Sequence, residues 1–151
     1  MASLLRYLRP DRILVDMKAR KKAAAIRELA LPLKGGPEIV DFREFLSKLF
    51  QEESRAGTGV GEGVAIPHYR DGVVDEPVIG LGLSQKGIDW GDGKPVQIVA
   101  LIGWPDKHSQ TYLKTVAEVA RVLHSESVRQ ELLKAESPEA VVEVLKKEGV
   151  T

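Results

Sequence analysis

The sequence has 151 residues, of which 43% are hydrophobic and 29% are charged, a composition typical of one globular domain. Its 22 basic and 22 acidic residues cancel, which argues against nucleic acid or an anionic membrane surface as the first partner. The lack of cysteine excludes disulfide scaffolds, cysteine-ligated zinc and thiol catalysis, and no apolar run approaches the ~20 residues of a membrane span. We therefore expect residues 1–151 to form one cytoplasmic domain without direct membrane insertion.

Two helices are predicted in the first third of the chain. Residues 18–30 are good helix formers with apolar side chains on one face, and a proline and two glycines follow them. The basic residues at the start of this segment have no interleaved aromatics, which favours a solvated helix face over a nucleic-acid patch. Asp41 is predicted to cap a second helix that runs to about Glu53, because its apolar residues recur at helical spacing.

The middle of the chain predicts strands. Residues 57–63 have glycine at every second position and are predicted to be a loop. Residues 64–68 read as a short strand that reaches a turn. Residues 78–83 and 96–102 are β-branched and apolar between turn signals, including residues 90–93, so they are the expected central strands.

Three helices are predicted after the strands. An amphipathic helix begins near Ser109, which leaves His108 in the preceding loop, and a shorter helix covers residues 127–135. The last helix covers residues 138–147, with Ser137 as its cap and Gly149 as its stop. Helices, then strands, then helices indicate an α/β or α+β layered fold.

Residues 57–68, GTGVGEGVAIPH, are the part of the sequence that most strongly indicates a functional site. Glycines allow positive φ, so the backbone N–H groups of Gly59 and Gly61 can converge on an anion, and Thr58 adds a hydroxyl donor. The spacing fits neither nucleotide-binding loop, because GxxxxGK[ST] needs a lysine and GxGxxG needs glycine where Glu62 stands. We therefore predict a small-anion site other than a nucleotide site.

His68 is the candidate catalytic residue. It follows a short strand and a proline that fixes the backbone, and a neutral imidazole, with a reference pKa of about 6.5, is a nucleophile that can accept a phosphoryl group. The competing interpretation is a hydrogen-bonded structural histidine at a strand end. A metal hydrolase built on His68, Asp71, Asp106 and His108 is disfavoured, because no pair has the HExxH spacing.

The segment resembles the S/G-T-G-I/V-G-x-G-I/V-A-I-P-H signature of the fructose/mannitol-type EIIA domains of the bacterial phosphotransferase system, including the nitrogen-regulatory branch. The resemblance implies a single-layer mixed β-sheet flanked by helices. It also implies that an HPr-like phosphocarrier protein phosphorylates His68, that an EIIB domain or a regulatory target is the further partner, and that no cofactor is needed. The sugar, if one is involved, and the oligomeric state are not specified by these residues.

Two positions depart from the family pattern. Glu52 stands where members usually carry an arginine, although Glu53 matches the glutamate that follows, and Tyr112 replaces a second histidine. An arginine can clamp phosphoryl oxygens, whereas Glu52 repels them, so these losses weaken an anion site. The alternative function is therefore an EIIA-like binding or regulatory module that is not phosphorylated.

Three nearby basic residues are candidate replacements for the missing groups. Arg55 lies about one helical turn beyond Glu52, Arg70 is two residues past His68, and His108 lies four residues before Tyr112. We predict Arg55 and Arg70 as phosphate-binding residues and His108 as a supporting residue.

Overall fold

The computed structural model describes residues 4–91 and 93–150. Numbered in chain order, the strands are β1 (Ile13–Leu14), β2 (Gly59–Gly61), β3 (Val64–Ala65), β4 (His68–Arg70), β5 (Val78–Asp89) and β6 (Pro95–Trp104). The helices are α1 (Leu4–Tyr7), α2 (Lys22–Ala30), α3 (Phe42–Ala56), α4 (Ser109–His124), α5 (Glu126–Lys134) and α6 (Pro138–Lys147), and short 3-10 turns cover Pro10–Arg12 and Leu31–Leu33.

The strands form one mixed sheet around the antiparallel pair β5 and β6. Strand β1 pairs in parallel with β5, whereas β3 and β4 both pair in parallel with β6. Strand β2 is the outer strand of an antiparallel hairpin with β3. The predicted central strands are confirmed, and both extend beyond their predicted ends. The predicted turn at residues 90–93 includes Asp92, which lies outside the described residues.

Helices cover both faces of the sheet and form two hydrophobic cores. On β6, Ile98, Ala100 and Ile102 pack toward α1, α4, α5 and α6, whereas Val99 and Leu101 pack toward α2 and α3. Because both faces of β6 are buried, its sequence is a continuous apolar run and does not alternate with polar residues. The predicted single-layer mixed sheet flanked by helices is confirmed.

The helix caps follow from local sequence. The Asp41 carboxylate accepts a hydrogen bond from the Glu44 N–H at the start of α3, and Ser137 caps α6 through the Ala140 N–H, as predicted. Capping side chains satisfy N–H groups that have no partner within a helix. The helix α3 continues to Ala56, three residues past its predicted end at Glu53.

The first predicted helix begins four residues late. The Glu28 carboxylate accepts hydrogen bonds from the backbone N–H groups of Lys18 and Ala19, and Lys21 bridges to Asp89 at the end of β5. These contacts hold residues 18–21 outside the helix. Helical propensity of those residues is therefore overridden by tertiary contacts.

Within residues 4–91 and 93–150, no helix is both long enough and apolar enough to cross a bilayer.

Candidate functional site

His68 begins β4 and is partly exposed at the edge of the sheet beside β6. Its Nδ1 atom lies 2.5 Å from the backbone carbonyl oxygen of Ile66. A carbonyl oxygen only accepts hydrogen bonds, so Nδ1 carries the proton in the neutral ring. The lone pair is then on Nε2, which is the ring nitrogen free to act as a nucleophile.

Tyr112 packs beside His68, with 6.0 Å between the two ring centroids. Burial raises the pKa of the Tyr112 hydroxyl to about 12; the nearby charge of Arg70 opposes this shift and that of Glu52 adds to it. The hydroxyl of Tyr112 therefore keeps its proton at neutral pH and is available as a hydrogen-bond donor. The structure therefore places Tyr112 beside His68. The sequence indicated this only by aligning Tyr112 with the second histidine of the family.

Arg70 lies on the same face of β4 as His68, because residues i and i+2 of a strand point to the same side. Its guanidinium carbon is 5.9 Å from the ring centroid of Tyr112. Its Nη1 donates a hydrogen bond of 2.9 Å to the backbone carbonyl of Asp106, in the loop before α4. Arg70 is therefore a cation held close to His68 and Tyr112.

Arg55 and Glu52 form an ion pair on the last turns of α3. The Arg55 Nη2 atom is 2.7 Å and 3.0 Å from the two carboxylate oxygens of Glu52. Both carboxylate oxygens of Glu52 therefore have Arg55 as a partner. Binding of phosphate by Arg55 stays a prediction, and it requires that this guanidinium leave or share the Glu52 carboxylate.

Glu53 is a buried carboxylate, only 5% exposed, that joins α3 to the glycine segment. It accepts hydrogen bonds from the Thr58 N–H at 2.9 Å, from the Thr58 hydroxyl and from Lys22 Nζ at 3.2 Å. The hydroxyl hydrogen of Thr58 is thus directed to Glu53. A phosphate-binding role for Thr58 stays a prediction.

The glycine segment, residues 57–63, is partly a strand, because β2 and β3 form a hairpin there. The prediction of a loop throughout this segment is wrong, since residues 59–61 pair with residues 64–65 through a register shift. Positive φ occurs at Gly57, Gly61, Glu62 and Gly63, and Gly59 is outside that group. Convergence of the Gly59 and Gly61 amides on an anion stays a prediction.

The predicted strand 64–68 is divided in two. Ile66 and Pro67 separate β3 from β4, and the Pro67 carbonyl accepts a hydrogen bond from the Ile102 N–H. A proline cannot donate to a strand ladder, which explains the break. The break leaves the Ile66 carbonyl next to the ring of His68.

His108 is in the loop before α4, at the position that precedes the first helical residue, as predicted. Its carbonyl accepts hydrogen bonds from Tyr112 N and Thr111 Oγ1, and its side chain lines a cavity together with Trp104 and Thr111. A supporting role for His108 at His68 stays a prediction. In the described part of the chain, no three His, Asp or Glu side chains converge as ligands for a metal ion.

Sequence reasoning missed two contacts that shape this site. Lys22 was interpreted as part of a solvated helix face, but it donates to Glu53. Trp104 is 1% exposed and its ring lies 6.1 Å from that of Tyr112, so it supports the residue next to His68. Both contacts join segments distant in the chain, and no local pattern indicates them.

Known proteins resemble this chain in sequence and in fold. Residues 6–148 match the family described as phosphoenolpyruvate-dependent sugar phosphotransferase system, EIIA 2. The chain is 34% identical over 134 residues to the fructose-specific EIIA component of Haloferax volcanii, covering 87% of this chain and 86% of that protein. It is 30% identical over 135 residues to the fructose-specific EIIABC component of Bacillus subtilis, covering 88% of this chain but only 21% of that protein. The structure of the nitrogen regulatory protein IIA-Ntr from Neisseria meningitidis superposes with a TM-score of 0.84 at 27% identity, covering 93% and 97% of the two chains.

Proposed function

Because the chain belongs to the EIIA type 2 family of the phosphoenolpyruvate-dependent sugar phosphotransferase system, we propose that it is a phosphoryl carrier that uses His68. The donor is an HPr-like protein that carries a phosphohistidine. The recipient is an EIIB domain or a regulatory target. The name of the Bacillus subtilis relative, an EIIABC component, supports the first recipient, and that of the Neisseria meningitidis relative, a nitrogen regulatory protein, supports the second.

The observation that carries this proposal is the contact between His68 Nδ1 and the Ile66 carbonyl. In the transfer step, the phosphorus–nitrogen bond of the donor breaks while a bond forms between that phosphorus and Nε2 of His68. The ring of His68 becomes more positive as its lone pair is shared. The Ile66 carbonyl stabilises this charge through the Nδ1 proton, which stays in place.

Tyr112 and Arg70 support the phosphoryl group in the proposed carrier. Tyr112 offers a neutral hydroxyl donor, and Arg70 offers a positive charge close to the ring of Tyr112. Charge-assisted hydrogen bonds to phosphoryl oxygens are among the strongest in proteins. Together these two residues supply part of what the family arginine and second histidine supply elsewhere. The proposal includes a cytoplasmic location, which the cysteine-free composition fits.

The experiment measures the mass of the protein after incubation with a phosphorylated HPr-type donor. We expect an acid-labile adduct of about 80 Da, the mass of one phosphoryl group, in the natural protein. The adduct should disappear in His68→Ala and persist in His124→Ala, a matched histidine at the far end of α4.

The second candidate function is a partner-binding module without phosphate. The observation that favours it is the negative charge of Glu52, which reaches Tyr112 beside His68 and raises the pKa of that hydroxyl. The same experiment separates the two functions. The absence of the adduct, or an adduct that survives His68→Ala, would support the binding module.

A further inference from the structure

The cavity that His108, Trp104 and Thr111 line has a volume of about 520 Å³ and lies beside the loop that precedes α4. Its walls come from α1, the turn at Pro10–Arg12, residues 75–77, residues 104–108 and the first turn of α4. His68 and the glycine segment are not part of its lining. The volume is in the range of cavities that bind small molecules.

One wall of this cavity is positively charged. Arg6 and Lys107 line it, and in residues 4–91 and 93–150 neither side chain has a carboxylate within 4.0 Å. The helix α4 also begins here, without a capping side chain and without an acidic residue in its first turn. The N-terminus of a helix carries a partial positive charge and free N–H groups, so this wall favours an anionic group.

Two buried N–H donors on the cavity wall also lack an acceptor. The Nε atom of Arg12 and the indole Nε1 of Trp104 have no hydrogen-bond partner within the described residues, and their residues are 4% and 1% exposed. Both residues line the cavity. A buried donor without an acceptor costs free energy, so this wall gains stability from an acceptor that reaches either nitrogen.

A third part of the lining is negatively charged. Asp75 and Glu76 are exposed and line the cavity, and neither forms an ion pair with any described residue. Glu38 is excluded from this group because its carboxylate already binds Arg12 at 2.8 Å. The two carboxylates repel a ligand that is only anionic, and Arg6 and Lys107 repel one that is only cationic.

We propose that this cavity binds a free α-amino acid, a compact zwitterion. Its carboxylate lies toward Lys107 and the first turn of α4, and its ammonium group lies toward Asp75 and Glu76. The charges of the ligand are then complementary to both walls.

The occupied cavity is connected to His68 through the segment 104–108. The ring of Trp104 lies 5.3 Å from that of Tyr7 in the cavity wall and 6.1 Å from that of Tyr112, which in turn lies 6.0 Å from His68. The Asp106 carbonyl in the same segment holds Arg70. An amino acid that shifts this segment therefore changes the surroundings of His68. This regulatory part rests on the proposed function, whereas binding itself does not.

Binding is tested on the unphosphorylated full chain labelled with ¹⁵N, titrated with each of the twenty amino acids in turn. We expect at least one amino acid to give a saturable shift of the Trp104 indole signal while the Trp90 signal, outside the cavity, stays in place. Lys107→Gln and Glu76→Gln should each weaken that binding about tenfold, because each removes one charged partner. The matched controls Lys114→Gln and Glu136→Gln, both exposed and away from the cavity, should bind as the natural protein does.

Compounds with one kind of charge complete the test. Glutarate has no ammonium group and 1,5-diaminopentane has no carboxylate, so both should bind at least about tenfold more weakly than the amino acid. The proposal is overturned if no amino acid gives a saturable shift, or if glutarate or 1,5-diaminopentane binds as tightly as the amino acid that gives the shift. This measurement does not involve phosphorylation, so its result can be interpreted even if the proposed carrier function is wrong. A change in the rate of His68 phosphorylation at saturating amino acid then tests the regulatory part separately.

Discussion

At the scale of single residues, the properties of the candidate nucleophile come from its nearest neighbours. The Ile66 carbonyl fixes the proton on Nδ1 of His68, and Tyr112 with Arg70 provides donors on the other side. Glu52 is the unfavourable member of this group, because its negative charge, although paired with Arg55, is near enough to Tyr112 to raise the pKa of that hydroxyl.

The first prediction concerns the charge of Glu52. We expect Glu52→Arg to raise the initial rate of phosphorylation by the HPr-type donor at least about tenfold. The removal of one hydrogen-bond donor from an oxyanion hole lowers a reaction rate by about 10²- to 10³-fold, and an added donor should act in the opposite direction. Glu52→Gln, which removes the repulsion without adding a donor, should give a smaller increase. An unchanged rate in Glu52→Arg would mean that Arg55 or Arg70 already replaces the family arginine.

The second prediction concerns backbone conformation in the glycine segment. Gly61 has φ +84°, and a Cβ at this position would meet no atom within 4 Å. Gly61→Ala should therefore lower the free energy of unfolding by about 1–2 kcal/mol through backbone strain alone. Gly72 is also surrounded by open space but lacks a positive φ, so Gly72→Ala is the control and should change stability little. Equal effects in urea unfolding would contradict this explanation.

At the scale of elements, the end of α3 and the start of the glycine segment are joined by one side chain. The neighbours Glu52 and Glu53 lie on different sides of the same helical turn. Glu52 is paired with Arg55 near solvent, whereas Glu53 is buried against Thr58 and Lys22. The signature segment is therefore positioned from inside the protein by Glu53.

The third prediction compares these two adjacent acids. Glu53→Ala removes the acceptor for the N–H and hydroxyl of Thr58, both buried, and should lower the free energy of unfolding by about 2–4 kcal/mol. Glu52→Ala removes an ion pair between an exposed arginine and a glutamate that is 33% exposed, and should change the free energy of unfolding by no more than about 0.5 kcal/mol. Urea unfolding of both variants checks this difference. A similar loss in the two variants would show that Glu53 does not hold the segment.

At the scale of the whole molecule, the buried ion pair of Arg12 and Glu38 joins the start of the chain to the segment between α2 and α3. Arg12 Nη2 donates to both oxygens of Glu38 at 2.8 Å, and Arg12 is 4% exposed. Burial opposes ionisation of Glu38, but the hydrogen bond and charge of Arg12 outweigh it, so the pKa of Glu38 is below its ordinary value of 4.5.

The fourth prediction follows from the direction of that pKa shift. A carboxylate with a lowered pKa in the folded protein contributes stability above its unfolded pKa and loses it as the pH falls through the folded value. Glu38→Gln should therefore be less stable than the natural protein by about 3 kcal/mol at pH 7, and the difference should shrink as the pH falls below 4.5. Urea unfolding across this range is the measurement. A constant difference at all pH values would contradict the assignment.

The accuracy of the sequence predictions varied with the distance over which each interaction acts. The central strands and the caps at Asp41 and Ser137 were predicted because apolar runs and capping residues act over a few positions. The start of α2 was predicted wrongly because the Glu28 carboxylate and the end of β5 hold residues 18–21 outside it. The spacing of three residues puts Glu52 and Arg55 within reach of each other on a helix. Only the structure shows that Arg55 forms an ion pair with Glu52.

The sequence by itself determined the family and the layered fold and singled out His68 as the candidate, since the signature is one contiguous segment and the apolar patterns are local. Only the tertiary structure decided which side chains surround His68 and how they are paired. Tyr112, Arg70 and the carbonyl of Asp106 come from three separate segments, and Glu53 meets Lys22 across 31 residues. Their contacts depend on how helices pack on the two faces of the sheet, because side chains distant in the chain become neighbours only when the cores close.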